Sequence, residues 1–239
     1  LMHSANVLYF EGSGQAAVAA GDAFIASART SGTRPIGLAT GQTMTPVHDH
    51  HLTIDGQANG LFADTVFSQL DEVIGQTSPI DSFAAEITTS LFSQFRATPA
   101  GFLMIDGQAG DPAGEAIRHC SAIRIAGGLA MQLLGIGVNG HVGFNEPGSP
   151  DSSRCRVVDL AASTIQRNGY DTGMQGITLG IADILAAEQI ILVATGAAKA
   201  AAISAMINGP KTPDCPASLL RDHPDIRLFL DKEAASQIS

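Results

Sequence analysis

Apolar residues recur along this chain in short runs that alternate with longer amphipathic stretches. A short apolar run bounded by glycine or polar residues is typical of a buried strand. An Ala-rich stretch with apolar residues three and four apart is typical of a helix that buries one face. The predicted strands are 7–10, 35–39, 65–70, 102–105, 131–135, 189–194 and 226–230. The predicted helices are 15–28, one beginning near Pro46, 82–95, 113–126, one opening at 195–199 and ending at Asn208, and 216–221.

Strands and helices therefore alternate along most of the chain, which indicates βαβ units with parallel strands. We predict a Rossmann-like, three-layer α/β fold with a predominantly parallel sheet, formed by a single domain over residues 1–239. The segment 151–175 departs from the pattern, because it is rich in Ser, Arg, Asp and Gly and has few sustained apolar periods. A lid over a site and a plain surface excursion are equally good interpretations of this segment.

Polar residues gather where the predicted strand 131–135 ends. Glycines interrupt the apolar run there, and Asn139, His141, Asn145 and Glu146 follow. Ligands of open α/β sheets bind at the carboxyl ends of strands. A curled loop would bring the carboxylate of Glu146 onto the imidazole of His141, and a histidine oriented by a carboxylate is a common general acid/base. The alternative is a polar loop with one satisfied histidine, but the glycines, amides and carboxylate together favour a site.

Two carboxylates, Asp71 and Glu72, come directly after the predicted strand 65–70. A solvated turn or a helix cap would explain them without chemistry. The functional interpretation is that burial has tuned the pKa of one of them so that it acts as a base.

Gly41, Gln42 and Thr43 follow a short buried strand and precede a helix. Backbone N–H groups at a helix start and a nearby hydroxyl form a cradle for phosphate, although such a short motif alone is more often a plain turn. Lys199 falls in the first turn of another predicted helix, where the macrodipole disfavours a cation. A bound anion would relieve that conflict.

Composition narrows the range of partners. The chain has 239 residues, of which 45% are hydrophobic and 15% charged, so it is expected to fold around a sizeable core. Its formal net charge of −10 argues against a nucleic-acid surface but allows a small phosphorylated ligand. No apolar run approaches the ~20 residues of a membrane span. The three dispersed cysteines resemble neither a disulfide framework nor a metal site, so a cytoplasmic location is expected.

The segment 135–149, Gly-Ile-Gly-Val-Asn-Gly-His-Val-Gly-Phe-Asn-Glu-Pro-Gly-Ser, closely resembles the signature of the glucosamine-6-phosphate deaminase/isomerase family. Three further segments match that family in order and spacing, and the similarity runs from about Val7 to the carboxyl end. These segments are 37–43, 70–72 with Gly75 following, and 196–199.

The resemblance implies a reaction and a set of roles. The family converts an aminosugar phosphate to fructose 6-phosphate and ammonium by ring opening, aldose–ketose proton transfer and loss of the amine, with no metal or other cofactor. Asp71 would move the proton between C2 and C1, while His141 would serve ring opening with its tautomer and charge held by Glu146. Asn139 takes the place of an Asp in many members. The residues assigned to substrate and phosphate are Gly41, Gln42, Thr43, Glu72, Gly137, Lys199, Arg156 and Arg167.

The sequence also departs from the family. An arginine expected in the lid is replaced by Tyr170, with Arg167 three residues away. The segment 73–82 lacks the Tyr and His-Pro residues that the family pattern contains. These changes allow a shifted epimer preference, such as galactosamine 6-phosphate, or a weakened enzyme. The expected partner is a small sugar phosphate, and a homo-oligomer is compatible with this interpretation.

Three other functions fit parts of this sequence. A 6-phosphogluconolactonase shares the glycine-rich segments, but Phe-Asn-Glu-Pro at 144–147 is not expected in it. A sugar-phosphate-binding regulator would explain Asn139 and the missing lid arginine. However, binding alone needs no set of Asp71, His141 and Glu146. A nicotinamide dehydrogenase is disfavoured because no Gly-x-Gly-x-x-Gly follows the first strand.

Overall fold

The computed structural model describes residues 6–75 and 82–238, and the side chains of Arg167 and Asn168 lie outside the described part. Within it, seven strands form a sheet in the order β1-β10-β9-β6-β2-β3-β5, and every neighbouring pair is parallel. Its strands are β1 (Val7–Phe10), β2 (Ile36–Leu38), β3 (Val66–Gln69), β5 (Gly101–Leu103), β6 (Met131–Leu134), β9 (Gln189–Ala194) and β10 (Ile226–Asp231). The predicted parallel α/β sheet is confirmed.

Seven α-helices of the described chain connect the strands. They are α1 (Ser13–Thr30), α2 (Thr45–Ala58), α3 (Phe83–Ser90), α4 (Pro112–Ile125), α5 (Ala162–Asn168), α6 (Ile181–Leu185) and α7 (Ala200–Asn208). Short 3₁₀ helices cover Phe92–Gln94, Ala197–Lys199 and Pro216–Leu220. None of the described helices is both long and apolar enough to cross a membrane.

The core lies between the parallel sheet and its helices. All four residues of β6 and five of the six residues of β9 are buried, because strands covered on both faces need a continuous apolar run. The Ala-rich helix α1 contacts β1, β9 and β10 and packs against α2. Its buried face consists of small residues together with Phe24 and Ile25, and the small residues allow close approach to the sheet.

A second sheet was not predicted from the sequence. It contains β4 (Asp71–Val73), β8 (Gln175–Thr178) and β7 (Arg156–Asp159), all antiparallel. The sequence placed Asp71 directly after a strand. In the structure Asp71 is the first residue of β4, and only Leu70 separates it from β3. The segment 151–175, for which the sequence left a lid and a surface excursion open, contains β7 and α5. The predicted helix 82–95 is shorter, because α3 ends at Ser90.

The strand order places one crevice at the carboxyl edge of the parallel sheet. From β2 the chain proceeds to β3 and β5 on one side, whereas from β6 it proceeds to β9 and β10 on the other. Connections therefore leave β2 and β6 in opposite directions, which opens a space beyond the ends of these two strands. The loops after β2 and β6 carry the two glycine-rich segments that the sequence singled out.

Candidate active site

The loop after β6 curls back on itself at its glycines. The Gly137 N–H donates to the His141 carbonyl at 2.9 Å, and the Gly140 N–H donates to the Gly137 carbonyl at 3.0 Å. Gly140 has a φ of +83°, which favours a residue without Cβ. The loop is also fastened from outside, because the Ala217 N–H donates to the Gly140 carbonyl at 2.9 Å. Its side chains are thus presented by a well-hydrogen-bonded backbone.

Asn139, His141 and Glu146 form one hydrogen-bonded cluster. Asn139 Nδ2 donates to Glu146 Oε2 at 2.7 Å, which leaves Asn139 Oδ1 facing His141 Nδ1 at 2.7 Å. His141 Nδ1 also lies 3.3 Å from Glu146 Oε1. Since both oxygens around Nδ1 are acceptors, Nδ1 carries the proton and Nε2 of a neutral imidazole is left as a base. The predicted contact between Glu146 and His141 is confirmed, as is the ability of Asn139 to hydrogen-bond the ring.

Gly137 lies directly beneath the imidazole of His141. A Cβ at this position would overlap the ring atoms Cε1, Nδ1 and Nε2. The absence of a side chain at Gly137 is therefore what allows the ring its position.

Asp71 reaches the same loop from the small sheet. It pairs with Thr178 across β4 and β8, and Thr178 pairs with Arg156 across β8 and β7. Directly opposed residues share a face, so these three side chains form one row. A Cβ built on Gly143, two residues after His141, would lie 3.4 Å from Asp71 Oδ2. The structure therefore brings the carboxylate of Asp71 beside the loop that carries His141.

Burial changes the acidity of Asp71. Loss of solvation, followed by the nearby charge of Glu72, raises the pKa of Asp71 to about 7. Desolvation disfavours the charged form of a carboxyl group, and a neighbouring carboxylate acts in the same direction. A carboxyl group with this pKa can accept and return a proton near neutral pH.

Glu72 is enclosed by protein donors. Its side chain is fully buried, and its oxygens accept hydrogen bonds from Gln69 Nε2 and from three backbone N–H groups, those of Val73, Phe83 and Ala84. Phe83 and Ala84 open α3, so Glu72 satisfies unpaired donors at that helix start. This geometry is closer to the helix cap considered for the sequence than to a substrate contact.

Gln69 and His119 were not singled out from the sequence. Gln69 is 1% exposed, and His119 Nε2 lies 2.9 Å from the Gln69 carbonyl oxygen. Burial lowers the pKa of His119 to about 4, so this histidine is neutral at pH 7 and donates through Nε2–H. A buried glutamine at the end of a strand beside two carboxylates was the signal that could have identified this support.

The loop after β2 lies on the β2 side of the crevice. Gly41, with a φ of +101°, and Gln42 are exposed, and Thr43 is half-buried at the approach to α2. The Met44 N–H donates to the Gly41 carbonyl at 2.8 Å, which folds the segment into a turn. His48 Nε2 lies 3.0 Å from the Ala39 carbonyl oxygen and ties the first turns of α2 to the end of β2. The predicted start of a helix near Pro46 is confirmed.

Lys199 is placed differently from the sequence expectation. The N–H groups of Gly196 and Ala197 already donate to the carboxylates of Asp231 and Glu233, so these protein groups occupy that helix start. The Lys199 ammonium instead donates to the Ile136 carbonyl at 2.7 Å. Lys199 therefore reaches the loop after β6, close to the crevice, by its side chain rather than through its helix.

The lid-side residues divide into two groups. Arg156 Nη1 donates to Asn145 Oδ1 at 2.9 Å and Nη2 donates to Ser149 Oγ at 3.3 Å, so Arg156 braces the signature loop. Burial lowers the pKa of Arg156. Tyr170 packs against the cluster of Val73, Phe144 and Leu160. Arg167 lies on α5, but its side chain falls outside the described part of the structure.

Comparison with known proteins agrees with this geometry. Residues 13–228 match the family described as glucosamine-6-phosphate isomerases/6-phosphogluconolactonase. The chain is 35% identical to a glucosamine-6-phosphate deaminase of Arthrobacter sp. (strain FB24), over 97% of this chain and 92% of that protein. It is 39% identical to the deaminase of Staphylococcus aureus (strain bovine RF122 / ET3-1), over 83% of this chain and 82% of that protein.

Solved structures show the same architecture. A monomeric glucosamine-6-phosphate deaminase superposes with a TM-score of 0.91 at 29% identity, over 97% of this chain and 99% of that one. The 6-phosphogluconolactonase of Trypanosoma brucei superposes with a TM-score of 0.73 at 21% identity, over 98% of both chains. The second likeness concerns the fold alone.

Proposed function

Because the chain belongs to the family of glucosamine-6-phosphate isomerases and 6-phosphogluconolactonases, we propose that it converts glucosamine 6-phosphate and water to fructose 6-phosphate and ammonium. The observation that carries this proposal is the buried Asp71 with a pKa of about 7, beside a loop with the Asn139–His141–Glu146 cluster. A hydrolysis of a lactone needs no base with access to C2. An aldose–ketose transfer requires one.

Ring opening is the step for His141. Nε2 is the base that takes the proton of the C1 hydroxyl while the C1–O5 bond breaks, and the resulting imidazolium returns a proton to O5. Asn139 and Glu146 hold the other nitrogen, and the carboxylate stabilises the transient positive charge. Asn139 supplies a hydrogen bond here but no negative charge of its own.

Proton transfer is the step for Asp71. Its carboxylate removes the C2 proton of the open aldehyde and the electron pair forms a C1–C2 double bond, while O1 takes a proton from the ammonium group on C2, which gives a neutral enolamine. The protonated Asp71 returns the proton to C1, which leaves an iminium at C2. Water adds to C2 and the C2–N bond breaks, so that fructose 6-phosphate and ammonium leave. A pKa near 7 suits a group that must both accept and return a proton.

The phosphate is assigned to the crevice beyond β2 and β6. The exposed backbone of Gly41 and Gln42, the hydroxyl of Thr43 and the ammonium of Lys199 provide its donors.

The test is ammonium release from glucosamine 6-phosphate, measured in parallel with galactosamine 6-phosphate and with unphosphorylated glucosamine. We expect release from glucosamine 6-phosphate and little from glucosamine. Release only from galactosamine 6-phosphate would keep the chemistry and change the epimer. Binding of both phosphates without release would contradict the proposed activity and favour a regulator, and Asn139→Asp would then be tested for gain of turnover.

Asp71→Asn should abolish turnover and leave sugar-phosphate binding largely intact, because the amide cannot accept the C2 proton. Ammonium release and isothermal titration calorimetry on the same preparation would show this split. Turnover that persists in this variant would remove Asp71 from the role of base.

A further inference from the structure

Glu72 lies next to the proposed base but cannot touch a ligand. Its side chain is fully buried, and each of its two oxygens accepts two hydrogen bonds. Oε1 accepts from the N–H groups of Val73 and Phe83 at 2.9 and 3.0 Å. Oε2 accepts from Gln69 Nε2 and the Ala84 N–H at 2.7 and 2.9 Å. All four partners are donors, so the group they enclose is a carboxylate.

Gln69 joins this carboxylate to the backbone of Asp71. Its Nε2 donates both to Glu72 Oε2 and to the Asp71 carbonyl, at 2.7 and 2.9 Å, so both hydrogens of the amide are used. Its Oε1 accepts from the Ile105 N–H at 2.9 Å, just beyond the end of β5. Its own carbonyl accepts from His119 of α4. One buried side chain thus connects the end of β3, the start of β4 and the end of β5.

These contacts lie where the chain passes from the large sheet to the small one. Leu70 alone separates the parallel strand β3 from the antiparallel strand β4, so the chain changes sheets immediately before Asp71. A change of sheet gives the backbone at Asp71 no ladder continuous with β3. The hydrogen bond from Gln69 Nε2 to the Asp71 carbonyl supplies a fixed point there.

We propose that Gln69 and Glu72 form a buried anchor that positions Asp71 for proton transfer and keeps a negative charge beside it. This inference rests on the proposed function, since it assigns the anchor to the base of that reaction. It also changes the role expected for Glu72 from substrate binding to positioning.

The surrounding charges are consistent with this role. Glu72 raises the pKa of Asp71, after burial itself, and it also contributes to the raised pKa of Glu86 on α3. Among the residues that the structure describes, His119 of α4 is a further titratable group at the anchor, and its pKa of about 4 keeps it neutral while Asp71 titrates. Across the small sheet, Arg156 lies in the same row as Asp71 but hydrogen-bonds Asn145 and Ser149. Within the described part of the chain, Glu72 therefore supplies the main charge that acts on Asp71.

The first experiment compares Gln69→Met with Gln132→Met in the ammonium-release assay. Methionine has a similar volume to glutamine but removes the amide. Gln132 is the matched control, because it is also fully buried in the sheet but its Nε2 donates to Leu133. Both variants should lower the Tm. Only Gln69→Met should lower kcat, about tenfold or more, with KM about unchanged, because a small displacement of a base is costly.

The second experiment is the pH dependence of kcat/KM for Glu72→Gln. Removal of the neighbouring charge should move the acid limb downward by about one pH unit. Circular dichroism must first show a native spectrum, because an amide N–H would face one of the present donors. If that variant does not fold, the Gln69→Met comparison decides alone.

The outcomes separate the anchor from the proposed function. No ammonium release by the unmodified protein contradicts the function itself. Release by the unmodified protein with kcat unchanged in folded Gln69→Met, or reduced equally in Gln132→Met, overturns the anchor and leaves the function standing. An acid limb that does not move in folded Glu72→Gln also overturns the part of the proposal that concerns charge.

Discussion

The buried carboxyl group of Asp71 should set the pH range in which the protein is active. Its pKa is raised to about 7, first by burial and then by Glu72, so the group is protonated below that pH and cannot accept a proton from C2. We expect kcat/KM to decrease as the pH drops below about 7, which gives the pH–rate profile an acid limb near that pH. The pH–rate profile measures this directly, and a limb near pH 4 would show an ordinary carboxyl group instead.

The raised pKa of Asp71 also makes the free energy of unfolding depend on pH. The folded-state pKa of Asp71 lies above its unfolded value of 3.8, so its contribution is fully present below pH 3.8 and is lost as pH rises through about 7. Asp71→Asn should therefore raise the free energy of unfolding at pH 8, by up to about 4 kcal/mol at 1.36 kcal/mol per pKa unit. Urea unfolding at pH 8 and near pH 4 gives the comparison. A difference at pH 4 as large as at pH 8 would contradict the linkage.

Lys199 should contribute mainly to binding of the phosphate. Its ammonium lies at the Ile136 carbonyl, next to the loop that carries His141, so Lys199→Ala removes a cation from the crevice. We expect the Kd of glucosamine 6-phosphate to rise about tenfold, as for the loss of one charged hydrogen bond. Lys211→Ala is the control, because Lys211 pairs with Asp222. Unchanged affinity in Lys199→Ala would move the phosphate elsewhere.

At the scale of elements, the sequence predicted what depends on local periodicity. The strands of the parallel sheet are short apolar runs, and each predicted one is present with its ends shifted by at most two residues. The small sheet escaped prediction because β4 has only three residues, two of them carboxylates that would normally indicate a turn. Its ladder depends on β8, a partner distant in sequence, and no local pattern reports such pairing.

The candidate site was predictable to the same degree. The residues after β2 and β6 were identified because glycines and polar residues follow buried runs. The support of Asp71 by Gln69 and His119 was missed, because His119 is contributed by α4 and the contact to Gln69 spans distant parts of the sequence. The occupied helix start at Gly196 was also missed, since Asp231 reaches it only through the pairing of β9 and β10.

The loop after β6 allows a test of its geometry. In Gly137→Ala the new Cβ would overlap the His141 ring, so the imidazole must move from Asn139. We expect a loss of turnover of about a hundredfold, as for a catalytic group displaced by about 1 Å. Gly135→Ala is the matched control, because its Cβ would meet only Met44 Cε at an ordinary 3.5 Å. Equal activity of the two variants would contradict the assigned position of His141.

At the scale of the molecule, the strand order explains why distant segments share one site. The reversal between β2 and β6 creates the crevice, and neither strand's own sequence specifies its neighbour. Polar residues at strand ends could be predicted to meet at one edge of a parallel sheet. Which of them meet depends on long-range pairing.

We expect the two sheets to unfold together, as the prediction of a single domain requires. The helix α4 contacts β5 of the large sheet and β7 and β8 of the small one, and β3 runs into β4 through Leu70. Urea unfolding followed by circular dichroism, with hydrogen exchange of amides in β8 and β9, should give one midpoint. Separate midpoints for β8 and β9 would divide the chain into two folding units.

The row of Asp71, Thr178 and Arg156 limits where residues can be inserted into or deleted from this chain. Because side chains alternate along a strand, deletion of one residue within β7 would turn Arg156 to the opposite face, whereas the connection 161–173 lies outside the pairing. Insertions and deletions should therefore be tolerated between β7 and β8 and excluded within them. A library of single-residue deletions across 153–180, scored for ammonium release, would show this boundary as two inactive blocks separated by an active one.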